Sequence, residues 1–132
     1  MTNDQTRMTN EGPKPNRPKG FDLEDRTAQF GVAVLAFAKT IPMNEITRPL
    51  IGQLVRSATS VGANYVEADD ADSKKDFRFK IGLCRREAKE TKHWLRMISA
   101  AEPTLRDAAR ELWREAQELN LIFSAIRRKT TQ

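Results

Sequence analysis

The chain has 132 residues, with 23 Lys and Arg against 18 Asp and Glu and a formal net charge of +5. One domain is the expectation at this length, large enough for a real core and too small for a sheet enzyme with a second substrate domain. Hydrophobic residues at 39%, charged residues at 31% and only 6 Gly and 6 Pro suit a charge-rich helical protein better than a β-sandwich.

Residues 1–20 hold almost no apolar side chains, too little to offset the entropy of ordering them, and read as a disordered basic tail of net charge +2. They also lack the apolar core of a signal peptide, so a cytoplasmic location is expected. From Asp22 onward apolar residues recur at spacings of four and three. Helix one carries Leu23, Thr27, Phe30, Val34, Phe37 and Ile41, with Asp22 as N-cap, Glu24 and Asp25 in its first turn, and Pro42 as its stop. Helix two carries Leu50, Leu54, Ala58, Val61, Tyr65 and Ala68, with Pro49 tolerated in its first turn. Helix three follows Ser73, which with Asp76 forms a variant capping box, and carries Phe77, Ile81, Cys84, Ala88, Thr91, Leu95 and Ile98. Helix four begins near Pro103 and carries Leu105, Ala109, Leu112, Ala116, Leu119, Phe123 and Ile126.

Four such helices with short connections predict an all-α fold, an antiparallel up-down-up-down four-helix bundle over residues 21–129. No apolar run approaches the roughly 20 residues of a membrane span. Gly31, Gly52, Gly62 and Gly82 fall inside helices, where each costs about 1 kcal/mol relative to alanine; close approach of neighbouring backbones is the expected reason.

Charge is concentrated on helix three, where residues 74–97 carry +6. Lys75, Arg78, Arg85, Lys89, Lys92 and Arg96 follow helical spacing and form one stripe, about 30 Å long at 1.5 Å per residue. Such a line of cations can track phosphates, with Arg127, Arg128 and Lys129 adding to it; a solvated face is the plain alternative. Aromatics interleaved for base stacking are not evident, so recognition of RNA or single-stranded DNA would rest on backbone and shape. The other flank bears Phe79, Leu83, Trp94 and Met97, outside the core spacing, and is expected to form a subunit interface in a homo-oligomer; the plain alternative is an irregular bundle that buries a wider face. Glu87 and Glu90 share that flank and can pair with an arginine such as Arg56, within the bundle or across subunits.

Catalytic chemistry finds little support. The one histidine, His93, leaves a triad without its usual base. Glu90 to His93 spells E-x-x-H, half of a di-iron site, but a second copy would need a second histidine. Glu67, Asp69, Asp70 and Asp72 lie at a helix C-terminus and read as a solvated turn, balanced by Lys74 and Lys75, rather than a magnesium site. Cys84, the one cysteine, lies on the core stripe as a buried thiol and excludes a disulfide framework. No catalytic residue, metal or cofactor is therefore assigned.

The motifs R-S-A-T-S-V-G-A-N at Arg56 to Asn64, Glu67, S-K-K-D-F at Ser73 to Phe77 and E-A-K-E-T-x-x-W-L at Glu87 to Leu95 are distinctive together. With D-L-E-D-R-T at Asp22 to Thr27, they resemble the 23S ribosomal RNA intervening-sequence proteins over residues 21–128. Arg56, Asn64, Glu67 and Asp76 correspond to that family's pattern. The resemblance implies a small bacterial cytoplasmic protein, a left-handed bundle and a ring-shaped homopentamer, and it implies no enzyme. Related accessory proteins of diversity-generating retroelements are basic pentameric bundles that engage a reverse transcriptase and nucleic acid. Two function classes stay open: a nucleic-acid-binding oligomer using the helix-three stripe, and a scaffold for a protein partner.

Overall fold

In the computed structural model, residues 22–131 are described, and the tail expected over residues 1–20 lies outside them. Four α-helices follow in order: α1 (Leu23–Ala38), α2 (Thr47–Asp69), α3 (Lys74–Ala101) and α4 (Arg106–Lys129), with a 3-10 turn at Pro103–Leu105 before the last. Consecutive helices pack against each other, α1 touches α4 more lightly, and the diagonal pairs do not meet, so the helices close into a four-membered antiparallel bundle. No helix among the described residues is long and apolar enough to cross a membrane.

Local chemistry sets the helix ends. The Asp22 carboxylate accepts from the Asp25 amide at 3.2 Å, and the Ser73 hydroxyl accepts from the Asp76 amide at 3.0 Å; each satisfies an amide that has no partner within its own helix. Helix α2 starts differently. Asn44 Oδ1 accepts from the amides of Ile46 and Thr47, both at 2.9 Å, while the Thr47 hydroxyl accepts from the Asn44 amide and donates to the Pro42 carbonyl. Helix α1 ends at Ala38, short of the Ile41 expected from the spacing. Pro42 disfavours a helical conformation for the residue before it, and the chain tightens instead: the Thr40 amide bonds the Phe37 carbonyl and the Ile41 amide that of Ala38. Ile41 stays buried all the same.

The core follows the helical spacing. Phe30, Val34, Leu54, Ala58, Val61, Ile81, Cys84, Ala88, Leu95, Ile98, Ala116, Leu119 and Phe123 are all buried. A Cβ at Gly62 would lie 3.3 Å from Thr27 Oγ1 and 3.5 Å from its main chain, so α1 and α2 approach closely there. Gly52 has nothing within 4 Å of a Cβ position, so close packing does not account for it.

Candidate nucleic-acid interface

Helix α3 buries one stripe and offers its two flanks to different neighbours. On the flank toward α2, Arg56 donates to Glu87 at 3.3 Å and pairs with Glu90, and Lys80 pairs with Glu67 at 2.6 Å. The Trp94 indole donates to Glu90 Oε2 at 3.0 Å. These two donors hold the Glu90 carboxyl below the usual carboxylate range, the indole contributing most. Lys80, through its pair with Glu67, is a cation beside the acidic end of α2.

The cations occupy the flank toward α4. Arg78 Nε donates to the Arg127 carbonyl at 3.3 Å, Lys92 bonds the side-chain oxygen of Gln117, and Asn120 donates to the Arg85 carbonyl at 2.8 Å. All six predicted residues share this side of α3, but they divide in two. Lys75, Lys89 and Arg96 are exposed, whereas Arg78, Arg85 and Lys92 are half-buried against α4. Burial, with Lys89 adding to it, lowers the Lys92 pKa from its ordinary value. Arg85 Nε is closed off from solvent without a hydrogen-bond partner.

Acids are drawn away from this seam. On α4, Glu115 and Glu118 turn toward Arg26 of α1, at 2.8 and 2.6 Å. The Glu115 bond raises the Arg26 pKa further and keeps the guanidinium charged. Among the described residues, two cavities along the seam are lined by no carboxylate. One, of about 270 Å³, gathers Lys75, Arg78, Arg85, Arg86 and Arg127 around Gly82, where a Cβ would stand 3.1 Å from Arg127 Nε. The other, of about 460 Å³, gathers Arg96, Arg106, Arg110 and Arg114 around Leu95, Ala109 and Trp113. Lys92 Nζ stands 5.1 Å from the centroid of the Trp113 ring.

Trp113 and Arg106, Arg110 and Arg114 of α4 were not legible as part of the helix-three stripe. They sit ten and more residues beyond its end, and only the rotation of α4 about its axis brings them beside Arg96. An aromatic does therefore border the basic surface, contrary to the expectation from sequence.

The apolar flank is less uniform than its spacing suggests. Phe79 is 60% exposed, while Leu83, Trp94 and Met97 are half-buried, and Trp94 packs on the core. Val32, Leu35 and Val66 are further exposed apolar residues, lining a groove between α1 and α2. Cys84 is buried, and desolvation pushes its thiol up to about 12. Among the described residues no three His, Cys, Asp or Glu side chains gather as a metal-binding set.

Residues 21–125 match the family described as 23S rRNA-intervening sequence protein. Among solved structures, the chain is similar to a protein with unknown function from the S23 ribosomal protein family of Bacteroides thetaiotaomicron VPI-5482. The two are 28% identical with a TM-score of 0.70, over 80% of this chain and 97% of that one. None of the curated proteins matches the chain.

Proposed function

We propose that this chain, which belongs to the 23S rRNA-intervening sequence protein family, is a non-catalytic binding protein that holds RNA or single-stranded DNA along its α3–α4 seam. The sorting of charge across the bundle carries this reading. Glu87 and Glu90 are engaged by Arg56 on the α2 side, Glu115 and Glu118 by Arg26 on the α1 side, and both cavities of the seam keep arginines without a lining acid. A surface organised this way attracts an anionic polymer and releases counterions on binding. No base-edge reading is assigned, so phosphate contacts dominate.

Fluorescence anisotropy with a labelled 20-nucleotide RNA across a salt series tests it. Affinity should fall as a power of the salt concentration, with a slope of about 0.7 per phosphate neutralised. Replacing Lys75, Lys89 and Arg96 with glutamate should cost tenfold or more while leaving helicity intact, since all three are exposed. Arg85 and Lys92 are poorer targets because they pack against α4. Salt-insensitive binding, or full affinity in the triple variant, would instead favour a scaffold for a protein partner.

The exposed Phe79, with Leu83, Trp94 and Met97 beside it, supports self-association, in line with the pentamer implied by the family resemblance. Repeating the seam around a ring would let weak contacts add by avidity. Light scattering measures the mass. Phe79→Ala should reduce it toward that of a monomer near 15.0 kDa, because the contact then loses a large aromatic anchor; a wild-type monomer at micromolar concentration would overturn the assembly.

A further inference from the structure

We infer that the cavity beside Trp113 seats one unstacked nucleobase of the bound strand, so that the seam selects single-stranded over fully paired nucleic acid. The inference rests on the nucleic-acid reading above and adds a specific site to it.

The lining chemistry has two parts. Leu95 and Ala109 are buried and, with the half-buried Trp113 ring, supply an apolar wall; Arg96, Arg106 and Arg110 supply positive charge. Arg114 also lines the cavity but is shared with Glu111 at 3.2 Å. A bare phosphate gains nothing from an apolar wall, and an apolar peptide gains nothing from the arginines. A nucleotide has both a flat, weakly polar base and an attached anion. The volume of about 460 Å³ falls in the range of small-molecule sites.

Trp113 is suited to stacking. Trp113 is half-buried against the core and Lys92 stands over its ring, so the indole borders the cavity with the surface that both leave open. Arg96 belongs to both the cation stripe and the cavity, so a strand following the stripe arrives at the indole with its phosphates already held. A base inside a duplex has both faces covered by its neighbours and cannot stack on a side chain; a base in a single strand can.

The fluorescence of Trp113 tests the inference directly. The chain has two tryptophans, so Trp94→Phe leaves Trp113 as the reporter; if that variant loses helicity, the difference between wild type and Trp113→Phe isolates the same signal. Decaadenylate should quench Trp113 saturably. Inorganic polyphosphate of similar length should compete for the seam without quenching. Trp113→Ala should weaken decaadenylate binding roughly 5- to 150-fold, leave polyphosphate binding within about twofold, and be partly rescued by Trp113→Tyr. A 20-base-pair duplex should bind without quenching.

Decaadenylate binding with no quenching, or with unchanged affinity in a folded Trp113→Ala, would overturn the nucleobase site and leave the phosphate-binding seam standing. If neither decaadenylate nor polyphosphate binds, the nucleic-acid reading falls and the nucleobase site with it. Quenching by an acidic tyrosine-containing peptide but not by decaadenylate would reassign the cavity to a protein partner.

Discussion

The hydroxyls of Ser57 on α2 and Thr91 on α3 meet 2.9 Å apart, both wholly buried in the seam between the two longest-packed neighbours of the core. Thr91 donates to Ser57, which donates in turn to the Leu54 carbonyl at 3.3 Å; the Glu87 carbonyl, 2.7 Å from the Thr91 hydroxyl, is the alternative acceptor for its one proton. The pair therefore satisfies itself without water and fixes the register of α2 against α3. Thr91→Val keeps the shape but removes one partner, and should cost about 1 kcal/mol. The double replacement with Ser57→Ala should cost less than the two single changes added together, because no hydroxyl is then left short of its partner. Urea unfolding of the four proteins measures the coupling; strict additivity would show that the two hydroxyls act independently.

Cys84 gives a second prediction. Its thiol is buried and pushed up to about 12 by desolvation, so almost no thiolate exists at pH 8. The native protein should react with a thiol-specific disulfide reagent only as fast as it opens, while the guanidinium-unfolded chain should react at once. Rapid stoichiometric labelling of the folded protein would contradict this burial.

The pH dependence of stability should carry a contribution from Glu90. Its carboxyl is held below the ordinary value by the Trp94 indole and by Arg56, so the folded pKa is lower than the unfolded one. The contribution is complete above the unfolded pKa, about 4.3, and is lost as pH falls through the folded value. Partial exposure keeps it small. Glu90→Gln should flatten the urea midpoint between about pH 5 and pH 3 relative to wild type; parallel pH profiles for the two proteins would show that the interaction contributes nothing to folding.

What could be read from sequence was what depends on near neighbours along the chain. Asp22 and Ser73 cap their helices because a side-chain oxygen and an amide three residues on are joined by local geometry alone. Phe30, Leu54, Ile81 and Phe123 are buried because the 3.6-residue period puts them on one face. The pairing of Arg56 with Glu87 and Glu90 was also legible, since a flank of α3 must face either α2 or α4 and the acids shared one flank. The reach of Arg26 to Glu115, across 89 positions, was not. It depends on how far α1 and α4 rotate toward each other, which no local pattern encodes. Trp113 escaped for the same reason. Its place beside Lys92 is a property of two helices, which the spacing along either one does not carry.

The glycines supply the last prediction, because the structure separates positions that the sequence treats alike. At Gly52 a Cβ meets nothing within 4 Å, and the residue lies within helix α2. Alanine there should stabilise the protein by about 0.5–1 kcal/mol by reducing the entropy lost on folding. At Gly62 a Cβ stands 3.3 Å from Thr27 Oγ1, and that oxygen is buried and held 2.7 Å from the Leu23 carbonyl. The neighbour cannot yield without disturbing its own hydrogen bond, so the helix-propensity gain at Gly62→Ala should be offset. Gly82→Ala meets Arg127 Nε at 3.1 Å, part of a flexible side chain that can swing aside. Its stability should therefore rise toward that of Gly52→Ala, while Arg127 leaves the cavity around residue 82 and affinity for RNA falls. Thermal melts ranked Gly52→Ala and Gly82→Ala above wild type, with Gly62→Ala at or below it, would fit this packing; a gain at Gly62 equal to that at Gly52 would mean that α1 and α2 are not in close contact there.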